Sequence, residues 1–560
     1  MQTPKRRRTF IFLALAALCL SSAAQEKTSS TGPATGLSVD AAALRSLMDQ
    51  FFTAYERKDL GTVMAAWDPK SPELVAHRQR AQQFFAANSE IHTTYTIRDL
   101  RVLGESARLI LDLNVRATET ATGKATTGLG ETVLLIECNS KDGVWKIWHE
   151  QDAEDLAAEL TAAKSDQERT SLLDSDRALL SPKLAQVLMK NGGALRLQGD
   201  YSRAATCYEL ARATSEQLGD KSGVAAAIRS LGIVQRLQGN YVGALDYYQR
   251  TAAIYQELGD KKGIARTLSS IGVAQRALGN YASALENYQK SLALYQSLND
   301  AGDTADVLDY IGIVYAYQGQ YALALKYLQD GLESRQGLND QDGVATSLLN
   351  IGDVYGLQGN QVQAMEYFQK SLKLHQDLND KQGIVILLSS IGDVFSQQNN
   401  LSQALQYYER SLALAEEMHD RENTAIALNN IGQAQLLQGN YLATVDYAQR
   451  SIKISGEIGL LETLWRAYTT AGKGHRMLQD DVQARQAFEE AVRTIETLRT
   501  QIGGGEEQQQ SFLEDKMSPY QEMVGLLVDE NRPSEALAYT ERAKGRVLLD
   551  VMESGKIKIT

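Results

Sequence analysis

Proline is absent from residue 183 to residue 518. An interior proline costs a helix about 3 kcal/mol, so nothing in that stretch interrupts continuous helices. Cysteine is nearly absent as well. Cys19, Cys138 and Cys207 are the only three, too few for a disulfide framework, and the last two are expected as buried thiols. Positive charge is scarce relative to negative, with a net charge of −12 and no concentrated basic stripe. Phosphate neutralisation supplies most nucleic-acid affinity, so nucleic acid is excluded as a partner. Beyond residue 20 no run approaches eighteen apolar residues, which argues against a later membrane span. The six histidines show no metal spacing. No GxSxG, HExxH, phosphate-loop or GxGxxG motif stands in a suitable context, so neither cofactor nor metal is expected.

What is present begins with "KRRR" (5–8), the apolar run "TFIFLALAALCL" (9–20) and then "SSAAQE". A basic region, a short apolar core and small residues at Ser22 and Ala24 predict a secretory signal over 1–24, and hence a periplasmic or secreted protein. Cleavage would remove four positive charges and no negative ones, taking −12 to −16. The Ser/Thr/Gly-rich run "KTSSTGPATG" (27–36) reads as a flexible leader over 25–37.

From 38 to 160 the pattern is helix first, then sheet. Leu44, Leu47, Met48, Phe51, Phe52 and Tyr55 recur at helical spacing. "ARLILDLNVRATET" (107–120) alternates, followed by "GETVLLIECN" (130–139) and "VWKIWHEQ" (144–151) with turns between them. This is an antiparallel meander against N-terminal helices, an α+β layout. "LMDQFFTAYERKDLGTVMAAWDP" and the closing "VWKIWHEQ" resemble the nuclear transport factor-like, or SnoaL-like, cone fold. That resemblance implies a pocket between helices and curved sheet. His149, on a strand face with Trp145 and Ile147, is then expected to point into it near Tyr95 or Glu131, where a histidine with an acidic neighbour can act as a general base.

After a helical connector (161–184) the chain repeats every forty residues. Gly192, Gly232, Gly272, Gly312, Gly352, Gly392, Gly432 and Gly472 stand inside helical pattern, although glycine there costs about 1 kcal/mol relative to alanine. Twelve positions on sits a small residue, from Ala204 to Ala484, and sixteen on, mostly, a ring such as Tyr288 or Phe368. Turns such as "QGNY" separate the two sets. Residues 185–500 are thus eight helical hairpins. The glycine is expected to let paired backbones approach closely, with the ring filling the space toward the next unit. A joint such as "NDQDG" (339–343) lacks the twelfth-position glutamate of a calcium loop and reads as a turn and helix cap. After a loop (501–512) a divergent helical pair takes up 513–560.

Small residue, small residue and ring at these intervals resemble the tetratricopeptide repeat in its forty-residue variety. The resemblance implies a mainly α fold, a right-handed superhelix of helical hairpins behind the α+β domain. It implies a binding surface without chemistry of its own. In that family, positions −6, −3, +1 and +4 from the glycine line a concave groove. Here those positions give a basic end, Arg196, Arg229, Arg236, Arg266 and Arg276, and an acidic stretch, Asp306, Asp309, Asp353 and Asp393. Such polarity would orient a segment of opposite polarity, so the expected partner is a protein or peptide. The tail "SEALAYTERAKGRVLLDVMESGKIKIT" resembles sequence that leads into the caspase-like (CHAT) domain of bacterial repeat proteins. An exported adaptor is therefore the first expectation, the regulatory front of such a protease the second, and chemistry in the cone pocket the third.

Overall fold

A computed structural model describes residues 39–126, 130–500 and 516–544. The expected signal (1–24), the leader (25–37), the loop (501–512) and the final stretch from 545 lie outside the described residues. Among those described, no helix is long and apolar enough to cross a membrane. The chain divides into two compact units near residue 150.

The N-terminal unit opens with α1 (Val39–Glu56), α2 (Leu60–Ala65) and α3 (Leu74–Ala87). Leu44, Met48, Phe51 and Phe52 bury the expected face of α1. A four-stranded sheet follows in the order β1 (His92–Leu103), β2 (Ser106–Arg116), β3 (Glu131–Lys141), β4 (Val144–Gln151). On β2, Leu109, Leu111 and Leu113 are buried as the alternation requires. Strand β1 was not expected. It pairs antiparallel with β2 through an irregularity between Ile97 and Asp99, and none of its residues is fully buried, so its sequence carries little apolar alternation.

The second unit is mainly helical. Hairpin 1 pairs Pro182–Leu197 with Tyr201–Gln217, and hairpin 2 pairs Lys221–Leu237 with Tyr241–Leu258. Hairpins 3 (Lys261–Ala277, Tyr281–Ser297), 4 (Ala301–Tyr317, Tyr321–Gly337) and 5 (Gln341–Leu357, Gln361–Asp377) continue the series. Hairpins 6 (Lys381–Gln397, Leu401–Glu417), 7 (Arg421–Leu437, Tyr441–Ile458) and 8 (Leu461–Met477, Asp481–Thr500) end it. A further pair, Ser518–Asp529 and Pro533–Lys544, follows.

The recurrent glycine has a more specific cause than backbone approach. A methyl group on Gly272 would come within 2.5 Å of the Tyr288 ring, and one on Gly352 within 2.5 Å of Phe368. The ring sixteen positions on covers the glycine of its own hairpin and, as expected, also reaches toward the next: Tyr288 lies 5.5 Å from the Tyr310 ring of hairpin 4. Where Ala448 replaces the ring, a methyl on Gly432 would meet nothing nearer than 3.4 Å. A buried hydroxyl also recurs: Ser291, Ser371, Ser411 and Ser451 donate to the carbonyls of Ala265, Ala345, Val385 and Ala425 at 2.6–2.9 Å. Each bond ties the second helix of a hairpin to its first. Between hairpins, aspartates cap the incoming helix, as Asp340 does by accepting from the Gly343 amide at 3.0 Å.

The array also meets itself. The Tyr201 hydroxyl of hairpin 1 donates to Glu422 of hairpin 7 at 2.7 Å, across 221 positions of sequence. Tyr201, Leu231, Ala425, Ile458 and Leu460 share one buried apolar cluster. Tyr241, Leu278, Trp465, Leu498 and Tyr520 share another.

Candidate binding site

The first helices of hairpins 2, 3 and 4 bring their glycine-referenced faces together around a pocket of about 270 Å³. Arg229 and Arg236 come from hairpin 2, Arg266 from hairpin 3 and Asp306 from hairpin 4, so four of the nine sequence-derived residues line one cavity. Tyr248 and Tyr295, from second helices, and Tyr310 complete its wall.

Its electrostatics are unbalanced. Among the described residues no carboxylate stands at ion-pair distance from Arg229, Arg236 or Arg266. Burial, with Arg266 nearby, pushes the Arg229 guanidinium below its ordinary value. Asp303 is held by Lys262 at 3.0 Å and Asp306 by Arg335 at 2.5 Å, so neither is left to neutralise the arginines. The buried Tyr248 hydroxyl lacks a hydrogen bond of good geometry although Arg236 stands beside it. Burial pushes the Tyr295 hydroxyl up to about 12, with Asp303 adding to the rise.

The remaining expected residues are distributed differently. Arg196 stands beside Tyr208, and the Arg276 guanidinium lies 5.6 Å over the Tyr317 ring. Asp309 is withdrawn from the face. It is 3% exposed and accepts from Arg335 Nη1 at 2.5 Å and from Ser347 and Asn350 at 3.2 Å. A carboxylate so far from water needs those partners, so it is not offered to a ligand. Asp393 accepts from the Tyr408 hydroxyl at 2.6 Å. Asp353 keeps surface open to water while neighbouring protein crowds its carboxyl. That crowding, with the Asp393 charge adding to it, pushes its carboxyl up to about 7.

Arg335 was missed. It occupies the place of Tyr255 and Tyr295 in the preceding repeats, and that substitution is the signal that marks it.

In the N-terminal unit His149 pairs with Glu73 rather than with Tyr95 or Glu131. Its Nδ1 lies 2.5 Å from Glu73, while Tyr95 donates to Asp49 at 2.5 Å. The deeply buried imidazole is His77, 2.9 Å from the Tyr55 hydroxyl, 2.7 Å from Glu150 and with its ring centre 4.5 Å from that of Trp67, tilted by 38°. Burial would raise the Glu150 carboxyl, but His77 outweighs it and holds the group below the usual range.

The family model described as tetratricopeptide repeat matches in overlapping segments that run without a gap over residues 183–457. No curated protein sequence matches the chain. Similar solved structures include the Rap conjugation gene regulator of plasmid pLS20 in complex with the Phr* peptide, at 14% identity and a TM-score of 0.45, covering 63% of this chain and 98% of that one. The apo form of the quorum sensor NprR from B. thuringiensis is similar at 16% and 0.39, over 61% and 97%. A signal transduction ATPase with a tetratricopeptide repeat sensor from Pyrococcus horikoshii is similar at 13% and 0.41, over 74% and 57%. At these identities the likeness concerns the fold alone.

Proposed function

We propose, taking as premise that residues 183–457 are tetratricopeptide repeats, that the array is a non-catalytic adaptor holding an acidic protein or peptide segment against the first helices of hairpins 1–4. The observation that carries this is the group Arg229, Arg236 and Arg266 around one pocket, which among the described residues has no carboxylate at ion-pair distance. Groups left without a counter-charge in a recess attract one from a partner, and the attraction weakens with salt. Asp353, further along the same face, would receive the basic end of that segment and so set its direction.

The "KRRR" stretch with its apolar run supports an exported protein. Three helices ahead of a β1-β2-β3-β4 meander support a nuclear transport factor-like accessory module. His149, tied to Glu73 rather than to Tyr95 or Glu131, gives no support to chemistry there.

The test is affinity capture with the full chain from periplasmic extract, compared with an Arg229→Glu/Arg236→Glu variant. The expected result is a retained protein that is lost from the variant and released by salt. Retention unchanged in the variant at low salt would overturn the proposal.

A further inference from the structure

The pocket between hairpins 2, 3 and 4 has room, at about 270 Å³, for several atoms beyond a single water, whose share of liquid volume is about 30 Å³. Three arginines line it. Its own acids are already matched elsewhere, Asp303 by Lys262 and Asp306 by Arg335. Tyr248 lines it too, and its buried hydroxyl lacks a hydrogen bond of good geometry. Three positive charges gathered in a recess repel one another. A single carboxylate entering there would leave most of that charge uncompensated. A tetrahedral group with two charges matches it better and offers enough oxygens for planar guanidinium forks and a hydroxyl at once.

We infer that the pocket lined by Arg229, Arg236, Arg266 and Tyr248 binds a doubly charged oxyanion of phosphate chemistry, either free phosphate or a phosphate monoester on a protein side chain. The inference rests on the groove reading for access to the site, and it narrows that reading to one kind of group.

Calorimetric titration of the full chain with inorganic phosphate, sulfate and acetate at matched ionic strength tests it. At pH 7.5 phosphate and sulfate should bind, and acetate at least about tenfold more weakly. At pH 5 phosphate, having lost its second charge, should weaken while sulfate does not. Arg229→Gln with Arg236→Gln should cost about a hundredfold, from about tenfold per charged hydrogen-bonding partner. Melting of that variant checks that it remains folded. Acetate binding as tightly as sulfate, or a folded double variant that binds sulfate unchanged, would overturn the inference.

A second series separates the sources. A phosphoserine peptide binding more tightly than inorganic phosphate assigns the monoester, and the reverse order assigns the free ion. An acidic unphosphorylated peptide that binds through Arg236 and is not displaced by phosphate or sulfate sinks the inference and leaves the adaptor reading standing. Oxyanion binding without capture of any peptide does the opposite.

Discussion

On the face shared by the first helices, the arginines of hairpins 1–3 have no carboxylate at ion-pair distance among the described residues, whereas hairpins 4–6 draw most of their aspartates into internal contacts. Arg276 lies over Tyr317, and Arg229, Arg236 and Arg266 converge on a pocket. Asp306 and Asp309 both go to Arg335, and Asp393 takes the Tyr408 hydroxyl. Side-chain length explains the contrast. A guanidinium on a long apolar stem can pack over rings and still present its charge. A short carboxylate stays near its own backbone, and once buried it needs partners from the protein. Charges on equivalent positions therefore do not offer equal binding capacity.

The contrast breaks most visibly at Arg335. Arg335→Met should cost about 3–5 kcal/mol in urea unfolding, because it strands the buried Asp309. Arg229→Met, on the basic side, should instead raise stability by about 1 kcal/mol in anion-free buffer. It removes a buried charge that donates to the neutral Ser270 hydroxyl and has no carboxylate at ion-pair distance among the described residues. Comparable losses from both variants would abolish the distinction.

A smaller effect sharpens it through pH. Asp353 has its carboxyl pushed from 3.8 up to about 7 in the folded chain, so the folded state holds this proton where the unfolded state has released it. Its contribution to stability is intact below about pH 4, declines as pH rises toward 7 and is level above that. Water reaches the carboxyl, and that screening reduces the effect to about 1 kcal/mol. Asp353→Asn should flatten this part of the stability profile in melts between pH 4 and 8. A profile that keeps its slope would mean that another group on the acidic side titrates there.

Much of the array was legible because glycine and ring recur at a fixed interval, and only a hairpin that seats a ring on a glycine explains why both recur together. The position of Gly272 in a helix followed from spacing. Its contact, the Tyr288 ring rather than a neighbouring backbone, did not, since one period fits either geometry. The arginines of the pocket could be assigned to a face, for a face follows from 3.6 residues per turn. The withdrawal of Asp309 could not, because Arg335 comes from the second helix and enters from a position that is tyrosine in the two repeats before it. Strand β1 escaped for a related reason: a half-exposed strand carries little apolar alternation. The Tyr201–Glu422 bond joins residues that no repeat unit contains together.

That last contact changes how the molecule should come apart. A row of repeats coupled only to neighbours frays from its ends inward, one unit at a time. Here the terminal hairpin is clasped by the seventh, through Glu422 and the cluster around Ile458 and Leu460, so it has no loose end to fray. Loss of hairpin 1 strips apolar cover from hairpin 7 as well. The row then yields as one cooperative body, and deleting a unit from its start weakens a place more than two hundred residues away.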